Sequence, residues 1–504
     1  MCRHIMRKKY NRLLQTSRLL ILASLMALLS VPATGQTSMT LDQAIEMAQE
    51  KSLSAMVARL SFMSQYWSYR SFKAQLLPSV GLTGSLMNFN RSMVEARNFD
   101  DGRVSYVENN TLSNSMTLSV TQNIVPLGGI LSLQSSLSRL DQFNYDNKLF
   151  NSQPIRLSYT QPLRTYNELK WQKKSQPLKL EKAKRAYLEA MEEVASTVVS
   201  LFFNVLSAQS NYQQSMSSLK DRQYLFEISK KRLELGTTTK SEHLQLELSL
   251  LNAQVEVNNN EQTLRSQKYR LCTFLRIPIN TEIDLIPPYT IPSINVNPND
   301  VLSKALANSS HTLDQRINLI EAERNLAQAK SNRGIQMSLN GNVGFYRTSN
   351  HFSDAYKHLD GNQIIGLTVS VPIFDWGVAK GRVRMAQADL ETTKTQLEQE
   401  HETYIYDLQN TVFQFSIQSA QCQNTKRAQE IAEERYEITK RRFETGAITV
   451  TDLNTAQQES ESARAQYINQ LKTFWSDFYA IRKLTLYNWV GHYDLDVDFD
   501  KLIK

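Results

Sequence analysis

From Ile335 to Phe345 the chain alternates. Ile335, Met337, Leu339, Val343 and Phe345 are apolar, and Gln336, Ser338, Asn340, Asn342 and Gly344 lie between them. A period of two over such a stretch predicts a β-strand with one apolar and one polar face. Ile365, Leu367, Val369 and Val371 alternate with Gly366, Thr368 and Ser370, and Ile155, Leu157 and Tyr159 follow the same rule. Strands are therefore expected at about 79–90, 154–163, 335–346 and 363–372. Their length fits a tilted membrane-spanning strand of roughly 9–11 residues. It also fits a half-buried strand of a soluble sheet, and alternation alone does not choose.

Elsewhere the period lengthens. Tyr187, Met191, Val194, Val198, Leu201, Val205, Ala208 and Tyr212 are spaced by alternating steps of four and three. That seam predicts a coiled-coil helix. Leu244, Leu248, Leu251 and Val255 carry the spacing on after a glycine, and Pro177 is the one proline between positions 168 and 274. A helix of such length exceeds what a compact domain needs.

The pattern occurs twice. IRLSYTQPLRTYNELK (155–170) lies over IGLTVSVPIFDWGVAK (365–380) at an offset of 210, and FEISKKRLELG (226–236) over YEITKRRFETG (436–446). Upstream, VGLTGSLMNF (80–89) matches MSLNGNVGFY (337–346) at an offset of 257, so the first half carries 47 extra residues. The period is far longer than a solenoid repeat, which makes this a duplicated domain-sized unit. The inserted residues hold MTLSVTQ (116–122) and ILSLQSSL (130–137) around VPLGG, an extra hairpin within 104–150. We expect a first repeat over 36–275, a proline-rich extended linker over 276–300, a second repeat over 301–488 and a tail over 489–504. The inserted hairpin is expected to be extracellular, because the four-strand core aligns between the halves without it; enlargement of a barrel to six strands per chain is the alternative.

Each long helix ends at a glycine, with tips near Gly236 and Gly446. Glycine after the last turn supplies a positive φ at low cost. Lys230, Lys231 and Arg232, and Lys440, Arg441 and Arg442, suit the negative end of the helix dipole. Thr239 with Glu242 and Thr449 with Asp452 are capping-box pairs that start the next helix. The motif is thus stop, turn and start, and a structural turn explains it without any binding role.

Composition changes the picture at the N-terminus. Six basic residues in the first 18 precede LLILASLMALLSV (19–31) and PATGQ, which reads as a signal peptide over 1–35 cleaved after Gly35. Removing it takes the formal charge from +8 to about +2, so the basic balance is a targeting feature and implies no nucleic-acid partner. The chain offers no further spanning helix; STVVSLFFNVL (196–206) is too short. A β-barrel remains open. Cys2 leaves with the signal, and Cys272 and Cys422 could pair. The seven histidines are scattered, and no metal, P-loop or nucleophile motif appears. No enzyme, cofactor or metal is expected.

The signal peptide, the duplicated halves and an R-x-x-x-G tip in each resemble the TolC-like outer-membrane efflux channel family. The most specific stretch is KRRFETGAITVTDLNTAQQESESARAQYINQLKTFWSDFYAIRKLT (440–485), supported by LDQAIEMAQEKS (41–52) and VSVPIFDWGVAKGRV (369–383). The resemblance implies a mainly α fold with a membrane β-barrel. Long antiparallel coiled-coil helices form a periplasmic α-barrel, and four main strands per chain enter a barrel shared by a homotrimer. It implies a passive export duct in the outer membrane, coupled to a periplasmic adaptor and an inner-membrane pump of RND or ABC type. Arg232, Gly236, Thr239, Arg442, Gly446 and Thr449 would form the adaptor-docking tips, and Asp452 with Glu242 the periplasmic pore entrance. Three positions depart from the family pattern. Thr455 replaces a second acid, Ile448 an arginine and Phe443 a tyrosine. A duct for type I protein secretion and a soluble periplasmic coiled-coil scaffold are the other readings.

Overall fold

The computed structural model describes residues 37–97, 102–279, 281–292, 294, 296–445 and 447–503. The expected signal peptide and Gly446 lie outside these described residues. The chain divides into two compact units. One holds Met1–Ala55, Val194–Ser293 and Gln418–Ser476; the other holds Met56–Glu193, Ile294–Ile417 and Asp477–Lys504.

The duplication is visible in the element lengths. Helix α1 (Leu41–Lys51) and α2 (Leu53–Gln75) of the first half correspond to α5 (Pro298–Asn308) and α6 (Ser310–Arg333) of the second. The long helices α3 (Glu168–Glu234) and α7 (Val378–Glu444) each contain 67 residues. Their partners α4 (Lys240–Leu275) and α8 (Val450–Thr485) each contain 36. Helix starts follow local chemistry. Thr40 and Gln43 form a capping box at α1, and Asn297 caps α5 with Pro298 in its first turn. Pro177 sits inside α3 without ending it.

In the first unit the predicted seam is a core only in part. Val194, Val198, Val205 and Ala208 are buried, as are Val199, Phe202, Phe203, Leu271, Leu471 and Phe474. The apolar stretch at 196–206 is therefore core material. Its continuation is different: Leu244, Leu248, Leu251 and Val255 are all exposed, while His243, Leu246, Ala253 and Val257 of α4 are buried. A helix with two apolar stripes can bury only one against its hairpin partner, and here the leucine stripe is left outward. The linker is not wholly irregular. Its strand β6 (Ile283–Leu285) pairs in parallel with β1 (Thr37–Met39). Cys272 and Cys422 are both free and buried, so the disulfide considered above is not formed.

The second unit carries a six-stranded antiparallel sheet, ordered β2 (Ser79–Arg97), β3 (Val104–Ile124), β4 (Gly129–Gln142), β5 (Asn147–Pro162), β7 (Gln336–Ser349) and β8 (Asp360–Ser370). This corrects the expectation of four main strands. The insertion does form the expected hairpin, but its two strands lie within the main sheet, between β2 and β5, hydrogen-bonded on both sides. The physical reason is pairing. A detached hairpin would leave the outer edges of β3 and β4 bare, and here β2 and β5 satisfy them. After α8 the chain forms the short pair β9 (Tyr487–Asn488) and β10 (Tyr493–Asp494), then α9 (Phe499–Ile503). This C-terminal stretch is fastened down: the Phe499 ring lies 5.0 Å from that of Phe62, and Lys304 Nζ reaches Asp494 Oδ1 at 2.9 Å.

Candidate functional site at the helix tips

At the first tip, three backbone donors close α3. Leu235 N–H donates to Lys231 O (3.1 Å), Gly236 N–H to Leu233 O (3.0 Å) and Thr237 N–H to Arg232 O (2.9 Å). The last two bonds are the Schellman pattern, which requires a left-handed residue at the turn. Gly236 supplies it with φ 71°. At the second tip Ala447 N–H donates to Arg442 O at 3.0 Å, the same long bond at the equivalent place. The tips also touch each other: Arg232 Nη2 donates to Glu444 O at 3.2 Å.

Both acids sit in caps. Glu242 N–H donates to Thr239 Oγ1 (3.2 Å), and Thr239 N–H returns a bond to Glu242 Oε2 (3.2 Å). Asp452 N–H donates to Thr449 Oγ1 (3.2 Å), while Thr449 N–H and Oγ1–H donate to Asp452 Oδ2 at 3.1 and 2.7 Å. Hydrogen bonds from Thr238 and Thr239 hold the Glu242 carboxyl below the usual range, and those from Thr449 do the same for Asp452. Both side chains are exposed, so two negative charges per chain face solvent at the tips. Their capping stability is present above the ordinary carboxylate pKa and is lost only as pH falls through the lowered values.

Behind the turns lies a small core of Leu225, Leu246, Tyr436, Phe443, Leu453 and Ala456, with Ile448 and Val450 packed on it. It accounts for two of the departures from the family pattern. Phe443 and Ile448 stand in apolar surroundings that a tyrosine or arginine would disturb. The third, Thr455, returns its hydroxyl to Thr451 O (3.0 Å) on its own helix.

The polar groups that join the two hairpins were not singled out from sequence. Asp221 accepts from Tyr436 Oη (2.9 Å) and from Lys440 Nζ (2.7 Å), tying α3 to α7. Burial and the Asp221 charge raise the Tyr436 phenol. Arg222 Nη2 donates to Gln457 Oε1 (3.3 Å), and Gln457 Nε2 donates to Ser218 Oγ (2.6 Å), tying α3 to α8. A signal was available in the sequence. At an offset of 210, Asp221 faces Ile431 and Phe226 faces Tyr436. The halves differ where a bond between hairpins needs two unlike partners.

Asp221→Asn is expected to loosen this joint. A hydrogen bond to a charged partner is worth about 1.5–3 kcal/mol. The Asp221 and Lys440 side chains are 22% and 24% exposed, so solvent screening brings the expected loss to about 1 kcal/mol. Amide exchange at residues 436–444 should quicken roughly fivefold; exchange unchanged within twofold would show that Asp221 does not hold the helices together.

Comparison with known proteins places this geometry. Residues 301–485 match the family model described as outer membrane efflux protein. No curated protein sequence matches the chain. Among solved structures, the CmeC outer membrane channel of Campylobacter jejuni aligns at 15% identity and TM-score 0.66, over 92% of this chain and 88% of that one. The VceC outer membrane protein of Vibrio cholerae aligns at 14% identity and TM-score 0.62, over 88% and 95%. The open-state MtrE outer membrane channel of Neisseria gonorrhoeae aligns at 16% identity and TM-score 0.57, over 88% of each chain. The second half of the chain thus matches the outer membrane efflux protein family model, and nearly the whole length shares the fold of such channels.

Proposed function

We propose that this protein is the outer-membrane duct of a tripartite efflux pump. It works as a homotrimer, in outer-membrane lipid at its sheet and in the periplasm along its helices. One observation carries the reading: the chain leaves open what only a ring of copies closes. Strands β2 and β8 each have a single neighbour among the described residues, and the stripe Leu244, Leu248, Leu251 and Val255 is exposed. The sheet supports a membrane setting. It exposes Val80, Leu82, Leu118, Leu133, Leu157, Val343 and Leu367 on its strands, whereas a soluble scaffold would cover them. Aromatic residues stand where chain and sheet meet: Phe374 and Trp376, 71% and 87% exposed, follow β8 directly. Such residues suit the interface between lipid and water.

The tips face an adaptor in this reading. Arg232, Gly236, Thr239, Arg442, Gly446 and Thr449 form the docking surface, and an inner-membrane pump of RND or ABC type stands behind the adaptor. Asp452 and Glu242, ionised and exposed, ring the periplasmic entrance and favour cations there. The duct itself is passive: the family is one of channels, and substrate choice rests with the pump.

Conductance across planar bilayers tests the duct. A mature protein that stays water-soluble and monomeric and passes no current would sink the reading. Co-purification with an inner-membrane transporter would separate small-molecule efflux from type I protein secretion. Gly236→Val is expected to reduce adaptor crosslinking and drug resistance while the ring still assembles. A Cβ there meets nothing within 4 Å, so only the left-handed backbone is strained, by roughly 1–2 kcal/mol. Resistance and crosslinking at wild-type levels would remove Gly236 from the docking surface. Asp452→Asn should lower cation selectivity, read as a shift in reversal potential; no shift would take Asp452 out of the entrance ring.

A further inference from the structure

The insertion raises a question of size. Six strands per chain, and not four, stand in the sheet. They matter for the pore only if the inserted pair crosses the membrane with the others.

Four hydrogen bonds place the inserted turn at the helix end of the sheet. Strand β3 runs down to residues 125–128 and β4 runs back. Gln122 Nε2 donates to Leu76 O (2.9 Å) and Asn123 Nδ2 to Gln75 O (3.0 Å), at the end of α2 where β2 begins. On the other side, Asn167 Nδ2 donates to Val125 O (2.8 Å) and Gln161 Nε2 to Leu127 O (2.8 Å), where β5 passes into α3. Gly128 makes the turn at φ 71°. The inserted hairpin therefore starts at the same level as its neighbours and runs the same way across the sheet.

Its faces match too. Directly opposite residues form the row Val80, Val120, Leu133, Leu157 and Val343 across five neighbouring strands. Two further apolar pairs, Leu82 with Leu118 and Met116 with Leu137, lie on the same face. The other face carries the row Gly81, Ser119, Gln134, Arg156, Gly344 and Asn362, and next to it Ser79, Thr121, Ser132, Ser158 and Asn342. Because strand side chains alternate strictly, a one-residue slip would put the inserted strands' polar side into the apolar face. No slip occurs. The insertion has one face for lipid and one for water, in step with the duplicated strands.

We propose that each chain contributes six strands to the membrane barrel, and that three copies close a barrel of 18 strands by joining β2 of one copy to β8 of the next. The count of three rests on the homotrimeric duct proposed above. Barrel diameter grows roughly linearly with strand number. Relative to twelve strands, this barrel is about one and a half times as wide and encloses about twice the area. A barrel of that size leaves an aqueous channel instead of a lumen filled by side chains. The outer-membrane section then admits bulkier solutes than a 12-stranded member of the family.

Two paired-cysteine variants and one image test this. Leu133→Cys with Leu157→Cys joins neighbouring strands here, and mild oxidation of intact outer membranes should crosslink more than half of the molecules. Val80→Cys with Leu157→Cys, two strands further apart, should give none. If the insertion stood outside the barrel, β2 would lie beside β5 and the two results would exchange, overturning the inference. Electron cryomicroscopy of the full protein in nanodiscs should show a threefold ring with 18 strands. A threefold ring with 12 strands overturns the wide barrel and leaves the duct intact. A ring of another order, or no ring, overturns the trimeric duct and the count with it.

Discussion

Gly344→Val should remove most of the assembled protein from the outer membrane. Gly344 lies opposite Arg156, where the last strand of the first half meets the first strand of the second. A Cβ at Gly344 would stand 2.7 Å from Ile155 O and 3.0 Å from Arg156 Cα. Both are backbone atoms of a paired strand, so no side chain can swing aside. The register of β5 already shifts between Ser152 and Ile155, one step away, which leaves the strand little freedom to bulge again. Overpacking of a well-packed site costs about 1–3 kcal/mol, and a clash with backbone belongs at the upper end. The cost falls at the joint between the duplicated halves, so β7 and β8 would lose their connection to the rest of the sheet. At least a tenfold fall in folded protein in the membrane fraction is expected. Gly366→Ser is the control, because a Cβ at Gly366 meets nothing within 4 Å. Equal amounts of the two variants would show that the close approach is not needed.

That glycine was visible in sequence only as a polar-side position of an alternating strand. Alternation reports which face a residue is on, and it is silent about how near the neighbouring backbone comes. The same limit explains the strand lengths. Val80, Gly81, Leu82 and Thr83 announce β2, but Asn88, Asn90 and Ser92 break the pattern, and the strand nevertheless runs to Arg97. Past the apolar band, backbone pairing with Asn109, Asn110 and Thr111 holds it, and such pairing has no local signature. Strand β3 begins at Val104 in similar polar sequence.

The helices were more legible because their signals are local. The capping threonines, the cationic last turns and the tip glycine each act within a few residues. What the long seam could not tell was which of two stripes on α4 faces inward. Leu246 and His243 won that place; Ser229 Oγ sits 3.0 Å from His243 Nδ1, and the Phe226 ring stacks on the imidazole at 5.2 Å. The place of the inserted hairpin was equally out of reach. MTLSVTQ and ILSLQSSL alternate like the main strands. Their partners, β2 and β5, are fixed only when the chain on both sides folds back. The tip bonds from Asp221 belong to the same class, since they join residues more than two hundred positions apart.

The other large effect is expected at the root of the long helices. Arg482 Nη2 donates to Glu192 Oε1 at 2.9 Å, and the side chains are 17% and 5% exposed. Arg482 also lies over the rings of Phe478 and Tyr479, 5.6 and 5.1 Å from their centroids. Burial raises the Glu192 carboxyl above its ordinary value, and the Arg482 charge opposes that rise. Arg482→Met keeps much of the apolar contact and leaves the carboxylate without its cation. Breaking a buried pair by removing one partner costs about 3–5 kcal/mol. The cost should depend on pH, and the sign follows from the direction of the shift. A raised carboxyl is protonated in the folded chain before it is in the unfolded one. At low pH both states are neutral and the variant loses little. As pH rises through the unfolded value the penalty grows, and it levels off once the folded carboxyl has ionised as well. Thermal unfolding of the purified variant should thus fall well below the wild type at pH 8 and approach it at pH 4. Adding Glu192→Leu to Arg482→Met should recover most of the loss at pH 8, because no buried charge is then left alone. A single variant within about 1 kcal/mol of wild type at pH 8, or a double variant worse than the single, would show that the pair is not what holds α3 to α8.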